Sequence, residues 1–180
     1  MAVQQAASRT IRLEELLIES PGEDLAAARE LLLEYGRFVI AQPGAARFCF
    51  GSLEKEASRL PLSYHEQAGG CLMAFVDNAP TGFVAWRALA PSSQVVADAC
   101  ELKRLWVRPT GRGLGIGRTL TEAVLERAVA AHRKAVYLDT APASMAAAYR
   151  MYVGMGFTPC APYNDNPVEG LSYLVKFLQP

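Results

Sequence analysis

The spacing of apolar residues along the chain predicts four helices. After Pro21 the residues Leu25, Ala28, Leu32 and Tyr35 recur every three or four positions, which places them on one face of a helix. The same spacing predicts further helices over residues 53–60, 118–132 and 144–155. Pro61 directly follows the segment 53–60 and ends it, because proline cannot continue a helix.

Short apolar runs bounded by turn residues predict the strands. The runs cover residues 11–13, 71–76, 81–87, 102–107, 135–138 and 171–178. Asp77, Asn78 and Pro80 predict a turn between the second and third runs, so these two strands should form a hairpin that the fourth extends into an antiparallel meander. The order of elements indicates a mixed α/β (α+β) sheet in one domain over residues 1–180, with a loose tail at 1–10.

Composition and charge exclude several classes of protein. The 180 residues suit one domain, and 51% of them are apolar, enough for a sizeable core. The 18 basic and 18 acidic residues give a formal net charge of zero, whereas nucleic-acid-binding surfaces carry an excess of Lys and Arg. No apolar stretch approaches the roughly 20 residues of a membrane span, and residues 1–15 lack the apolar run of a signal peptide. We therefore expect a cytoplasmic protein without nucleic-acid or membrane partners.

The cysteines predict neither a disulfide framework nor a metal site. Cys49, Cys71, Cys100 and Cys160 are scattered, with no CxxC pair and no nearby histidine. Disulfides or a zinc site are the functional alternative, and reduced, mostly buried thiols are the preferred interpretation. No metal is expected.

A glycine-rich loop between a predicted strand and helix is the most informative stretch, with four glycines within residues 111–117. Unpaired backbone N–H groups and the positive end of the helix dipole meet at such a place and bind phosphate. A Walker A loop is excluded because no Gly-Lys-Ser/Thr follows, and Leu120 stands where a dinucleotide fingerprint needs its third glycine. Arg112, Gly115 and Gly117 satisfy the pattern Arg-x-x-Gly-x-Gly. A turn that serves only packing is the alternative.

Two segments resemble motifs of the GNAT acyltransferase superfamily. Residues 100–109, with the loop that follows, resemble its central motif, and residues 148–157 resemble its second motif, a helix that carries a tyrosine and ends in Gly-Phe. The resemblance covers nearly the whole chain after residue 11 and is strongest to stand-alone bacterial members of unassigned substrate. It implies the GNAT fold, a mixed and mostly antiparallel sheet flanked by helices. It also implies an N-acetyltransferase that uses acetyl-CoA as acyl donor.

The resemblance places the donor on backbone groups. Loop N–H groups would hold the coenzyme A pyrophosphate, at Arg112, Gly113, Leu114, Gly115, Ile116, Gly117 and Arg118. In the family the preceding strand bulges and separates from its neighbour, so the pantetheine would pair with free backbone at Leu105, Trp106 and Val107. The N–H around Val107 would face the thioester oxygen and stabilise the oxyanion. An asparagine that contacts pantetheine in many members is replaced here by Met145.

Two side chains occupy the family's acid–base positions. Glu101 lies where histone-acetylating members carry their general base, and it could take the ammonium proton directly or through a water. Alternatively, it is a structural carboxylate paired with Lys103 or an arginine. Tyr152 matches the general acid, since a phenol stays protonated at neutral pH and can donate to the departing thiolate; alternatively, it is a core aromatic. No cysteine stands beside a base, which favours direct attack in a ternary complex over an acyl-cysteine route.

The sequence leaves the acceptor open. A small-molecule amine is favoured, because the chain shows no partner-docking extension; a protein or peptide acceptor, or a non-catalytic acyl-CoA sensor, are the alternatives. Family analogy places the walls of the acceptor site in residues 37–62 and 163–169. Asp165 and Glu169 there either meet a cationic substrate or are solvated turn residues. Homodimers are common in the superfamily, so a homodimer is the possible assembly.

Overall fold

Seven strands in the described part of the chain form one sheet. The computed structural model describes residues 9–45 and 50–179. The strands are Ile11–Glu15 (β1), Gly70–Val76 (β2), Ala79–Leu89 (β3), Ala99–Val107 (β4), Ala135–Thr140 (β5), Thr158–Pro159 (β6) and Ser172–Phe177 (β7). The helices are Gly22–Ile40 (α1), Phe50–Ser58 (α2), Leu62–His65 (α3), Ile116–Ala130 (α4) and Ala146–Gly154 (α5). A 3₁₀ turn at Pro109–Gly111 follows β4.

The strand order is β1-β2-β3-β4-β5-β7-β6, with β4 and β5 parallel and the other neighbours antiparallel. A parallel pair needs a crossover connection, and α4 supplies it between β4 and β5. The predicted meander is confirmed as β2–β3–β4. The prediction of a mixed, mostly antiparallel α/β sheet flanked by helices is also confirmed.

Helices cover both faces of the sheet, and β2 shows how its sequence meets both. Leu72 and Ala74 pack in a cluster that contains the apolar face of α4, whereas Met73 and Phe75 pack with α1 and α2. Successive strand residues point to opposite faces, and here both faces are buried. A strand buried on both sides reads as a continuous apolar run, which is the pattern that predicted it.

The four predicted helices are confirmed as α1, α2, α4 and α5, with ends shifted by a few residues. Two elements were not predicted, α3 and β6, because segments of four and two residues are too short to show a periodicity. The strand β4 begins at Ala99, earlier than the predicted start at Leu102. The cause is the buried charge of Glu101, which interrupts the apolar run.

The cysteines described by the structure are free thiols. Cys71 and Cys100 are buried and Cys160 is half-buried; Cys49 lies outside the described residues, as does most of the predicted tail at 1–10. Among the described helices, none combines the length and apolar character needed to cross a membrane. Residues 9–45 and 50–179 also contain no group of three or more His, Cys, Asp or Glu placed to hold a metal ion.

Candidate active site

The parallel strands β4 and β5 pair at one end and then separate. Their ladder runs from Ala99–Ala135 to Glu101–Tyr137 and goes no further. Over Leu102–Val107, β4 keeps β3 on one side, but no strand of the described chain pairs with its other edge. The result is a gap in the sheet with unpaired backbone along one wall.

A bulge in β4 accompanies this separation. Arg104 has a φ of +62°, and the β3–β4 register shifts between Phe83 and Ala85. A non-glycine residue rarely adopts the left-handed region, and a bulge bends its strand. The Arg104 guanidinium is held by both carboxylate oxygens of Glu56 on α2, at 3.1 and 3.0 Å, which stabilises the unusual backbone. The bulge and the gap are the features that the resemblance led us to expect.

The backbone N–H of Val107 faces the gap. The next N–H along the chain, that of Arg108, donates to the Thr81 carbonyl on the β3 side at 2.9 Å. Successive N–H groups of a strand point to opposite edges, so the N–H groups of Val107 and Leu105 point away from β3. Both are therefore available to a ligand in the gap.

A cavity of about 520 Å³ begins at this gap, and it is called the donor cavity because most of the residues predicted to bind the donor line it. Residues of α1, β4, the glycine-rich loop, α4 and the start of α5 line it, and its volume lies within the usual range for small-molecule sites. Every residue predicted to bind the donor lines the cavity except Leu114, whose side chain packs against the core instead. Met145, in place of the family's asparagine, and Ser144 beside it also line the cavity.

The glycine-rich loop leaves backbone donors free at the cavity. Gly113 and Gly115 have φ values of +80° and +79°, where a side chain would strain the backbone. Gly115 is the N-cap of α4, and no side chain caps this end of the helix. The first N–H groups of a helix have no intrahelical acceptor, and the helix dipole adds positive potential there. This geometry suits a phosphate or pyrophosphate group.

Two arginines add charge at the rim of the cavity. Arg112 donates from Nε to the Val107 carbonyl at 3.3 Å, and its guanidinium lies 5.3 Å from the centre of the Trp106 ring. Arg118 is paired with Glu122 at 3.6 Å, and both of these side chains are about half exposed. Such an exposed pair is weak, so Arg118 can exchange its partner for a bound phosphate.

An ion pair fixes α1 as the opposite wall. Glu34 accepts hydrogen bonds from Trp106 Nε1 at 3.0 Å and from the Arg108 guanidinium at 2.7 Å. Burial alone would raise the pKa of Glu34, but these donors, and above all Arg108, lower it below its ordinary value. Phe38, one turn further along α1, packs against Trp106 with ring centres 5.3 Å apart. The wall is thus held by the same strand that would bind the donor.

Tyr152 lies beside the donor cavity, in a smaller cavity of about 40 Å³. Leu105 and Met145 line both cavities, so the two are neighbours. Tyr152 is 4% exposed and packs edge-on against Phe157 with ring centres 5.6 Å apart. Burial raises the pKa of its phenol, with smaller contributions from Tyr35 and Asp139. Tyr152 is therefore a core aromatic and a cavity-lining, protonated phenol at the same time.

Glu101 lines the same small cavity, but its carboxylate is heavily bonded. Arg87 binds one oxygen at 2.9 Å, while Tyr163 and Asn164 donate to the other at 3.1 and 3.2 Å, and Lys103 lies 3.4 Å from it. Burial would raise the pKa of Glu101, yet Lys103 and Arg87 lower it below the ordinary value of 4.5. The carboxylate is thus ionised at neutral pH and has a low affinity for protons.

Apart from Lys103, which the sequence offered as a partner of Glu101, sequence reasoning missed several groups that share this small cavity. Tyr35, Lys103, Arg104 and Asp139 line it together with Glu101 and Tyr152. Asp139 accepts hydrogen bonds from the amides of Asn164 at 2.9 Å and Asn166 at 3.2 Å. These groups come from α1, the bulge, the end of β5 and the loop before β7. The one available signal was the acidic residue that closes the apolar run of β5.

Known proteins share both the sequence pattern and the fold. The sequence model described as "Acetyltransferase (GNAT) family" matches residues 28–157. An uncharacterised N-acetyltransferase of Schizosaccharomyces pombe is 35% identical over 75 residues, covering 42% of this chain and 45% of that protein. An N-acetylaspartate synthetase of Xenopus tropicalis is 28% identical over 123 residues, covering 68% of this chain and 43% of that protein. The chain thus spans less than half the length of either relative.

Solved structures extend the likeness to the whole fold. The PaiA N-acetyltransferase of Thermoplasma acidophilum, solved in complex with coenzyme A, superposes with a TM-score of 0.69 at 19% identity, covering 94% of this chain and 99% of that one. At this identity the likeness concerns the fold. Because the family's sequence model matches well over half of the residues, from α1 to the end of the second motif, the chain belongs to the GNAT family of acetyltransferases.

Proposed function

We propose that this protein transfers an acetyl group from acetyl-CoA to a primary amine of a small molecule, by direct attack within a ternary complex. The observation that carries the proposal is the continuity of three features. The gap between β4 and β5 opens into the cavity of about 520 Å³, and the phosphate-binding end of α4 borders that cavity. The gap suits an extended amide chain, and the helix end suits a pyrophosphate.

Donor binding rests on the backbone of β4 and the loop. Pantetheine would pair with the free edge at Leu105–Val107, and the pyrophosphate would accept from the N–H groups of Gly113 to Arg118, with Arg112 adding charge. The Val107 N–H then points at the thioester oxygen and stabilises the charge that develops there. Backbone donors need no reorganisation during the reaction, which favours the transition state.

Tyr152 is the proposed general acid. Its raised pKa keeps the phenol protonated through the physiological range, and it lines the cavity where the thioester end of the donor would lie. A proton from Tyr152 neutralises the thiolate as the carbon–sulfur bond breaks.

Glu101 is the proposed proton acceptor, acting through water. Its carboxylate is ionised, but its lowered pKa makes it a weak base, so the proton would pass on to solvent rather than stay on Glu101. Its negative charge near the cavity also favours the approach of an ammonium group.

The described thiols support direct attack rather than an acyl-cysteine. Burial raises the pKa of Cys71 well above its ordinary value and that of Cys100 to about 11, and it also raises the pKa of Cys160. Thiols with such pKa values hold almost no thiolate at neutral pH, and the thiolate is the nucleophile. The amine is then the group that attacks the acetyl carbon.

A small acceptor is supported by the size of the cavities and by the name of one relative. The cavity beside Tyr152 has room for a reacting amine but not for a folded chain. The relative from Xenopus tropicalis is named for an acetylated amino acid, a small molecule.

Thermal unfolding with separate additions of coenzyme A, acetyl-CoA, NAD and ATP tests the donor site. At about 100 times Kd a ligand stabilises by about 2.7 kcal/mol, which raises Tm by about 5–10 °C for a chain of this size. We expect this rise with the two coenzyme A species and not with NAD or ATP. Release of free thiol in the presence of a panel of amines then measures transfer. Binding without turnover of any amine would favour a sensor, and no Tm rise with coenzyme A would refute the donor site.

A further inference from the structure

A second cleft, of about 390 Å³, lies beside the bulged part of β4. It is bounded by α2, α3, β3 and the bulged part of β4. Five of the side chains that line it are cationic, namely Lys55, Arg59, Arg87, Lys103 and Arg104. Two are carboxylates, Glu56 and Glu66.

The cleft carries more positive charge than its own carboxylates neutralise. Even if the buried Glu101 behind Arg87 and Lys103 is counted, five cations face three carboxylates. The whole chain has a formal net charge of zero, so the excess is local and is balanced elsewhere on the surface. A concave wall with an excess of one sign of charge concentrates ligands of the opposite sign.

The cleft is connected to the proposed place of reaction. Lys103 and Arg104 line it, and the same two residues line the small cavity that contains Glu101 and Tyr152. A molecule that contacts these two cations from the cleft therefore lies next to the small cavity. The donor cavity adjoins the small cavity at Leu105.

Arg104 and Lys103 are positioned in the way that binding residues are. Arg104 occupies the left-handed backbone region at the bulge, and its guanidinium also lies 5.7 Å from the centre of the Tyr35 ring. Backbone strain of this kind is concentrated at functional sites. Lys103 is 16% exposed, and the nearest carboxylate is Glu101 at 3.4 Å. Burial lowers the pKa of Lys103, with Arg104 and Arg87 acting in the same direction against Glu101, so a further anion beside it would be stabilising.

We propose that the acceptor is a small amine that also carries an anionic group, a carboxylate or a phosphate, and that Lys103 with Arg104 and Arg87 binds this group in the cleft while the amine reaches the small cavity. This inference rests on the proposed acetyl transfer, and it specifies the substrate class. A cationic amine such as a polyamine meets repulsion in the same place. Asp165 and Glu169, which the sequence offered as partners for a cation, do not line this cleft.

Matched pairs of amines test the proposal, with thiol release from acetyl-CoA as the readout. β-Alanine and β-alaninamide differ in the carboxylate, and O-phosphoethanolamine and ethanolamine differ in the phosphate. We expect kcat/KM to be at least about tenfold higher for the anionic member of one pair, and the pair that shows it identifies the anion. The kcat/KM of the anionic member divided by that of its neutral partner is the preference ratio. In Lys103→Gln this ratio should fall by about tenfold or more, mainly through a higher KM for the anionic member.

Lys134→Gln is the matched control, because Lys134 is 68% exposed and lies outside the cleft. Calorimetric titration with succinate and with inorganic phosphate, which have no amine to react, measures anion binding directly in each variant. Turnover of amines without a preference for the anionic member, or an unchanged ratio in Lys103→Gln, would overturn this inference and leave the proposed function standing. If coenzyme A binds but no amine is acetylated, the proposed function fails and the acceptor assignment fails with it.

Discussion

Replacing Glu101 with glutamine should destabilise the protein by an amount that the structure allows us to work out. The carboxylate is 1% exposed and is contacted by Arg87, Lys103, Tyr163 and Asn164. Glutamine keeps the size and an acceptor oxygen for Tyr163, but it removes the charge. Two cations are then left around a neutral amide.

Removing one partner of a buried ion pair typically costs about 3–5 kcal/mol, because the remaining charge is left uncompensated. Arg87 is 32% exposed and can recover some hydration, whereas Lys103 at 16% recovers less. We therefore expect a loss of about 2–3 kcal/mol in the free energy of unfolding at pH 7. For a chain of this size that corresponds to a fall in Tm of about 4–12 °C.

The loss should depend on pH in a defined direction. The pKa of Glu101 is lower in the folded protein than its ordinary value of 4.5. Its stabilising contribution is therefore complete above the unfolded pKa and disappears as the pH falls through the folded pKa. The difference in the free energy of unfolding between wild type and Glu101→Gln should be constant from pH 7 to about 5 and should become smaller at lower pH.

Urea unfolding of both proteins across this pH range measures this difference in stability. Glu30→Gln is the control, because Glu30 pairs with Arg37 at the surface with both side chains about half exposed, and its loss should change stability by less than about 1 kcal/mol. Two outcomes would refute the account of Glu101 as a charge held ionised by Lys103 and Arg87. One is a Glu101→Gln protein as stable as the control variant, and the other is a stability difference from wild type that does not become smaller in acid.

Three further variants test other parts of the site. Tyr152→Phe should lower kcat by about 100-fold or more with little change in the Tm rise caused by coenzyme A, as measured by thiol release and thermal unfolding; unchanged turnover would remove Tyr152 from the acid role. Gly115→Ala should lower the free energy of unfolding in urea by about 1–2 kcal/mol and weaken coenzyme A binding, because φ is +79° there. The control is Gly51→Ala in α2, where an added Cβ meets open space; it should be neutral or stabilising in the same urea titration. Glu34→Gln should lower the free energy of unfolding in urea by about 1–2 kcal/mol and weaken coenzyme A binding, because it loosens α1 from Trp106. If stability and coenzyme A affinity were both unchanged, α1 would be held by apolar contacts alone.

The sequence by itself determined the longer elements and the position of the glycine-rich loop. Periodicity located the longer helices and strands, since a buried face leaves a regular pattern of apolar residues. The loop was readable because its backbone adopts positive φ at positions such as 113 and 115, where glycine is the residue that fits without strain. The bulge and the strand gap followed from family resemblance and not from the pattern, because the residue at the bulge is Arg104, which nothing local marks as left-handed.

The tertiary structure decided the electrostatics of the site. From the sequence, Glu101 was equally a base or a paired carboxylate, and only the fold brings Arg87 from β3 and Tyr163 from the loop before β7 to its oxygens. The cationic cleft likewise draws residues from α2, α3, β3 and β4. Local spacing records which face of an element is buried, but a pKa or a charged cleft depends on side chains far apart in the chain. Their distances are set only when the helices close over the sheet.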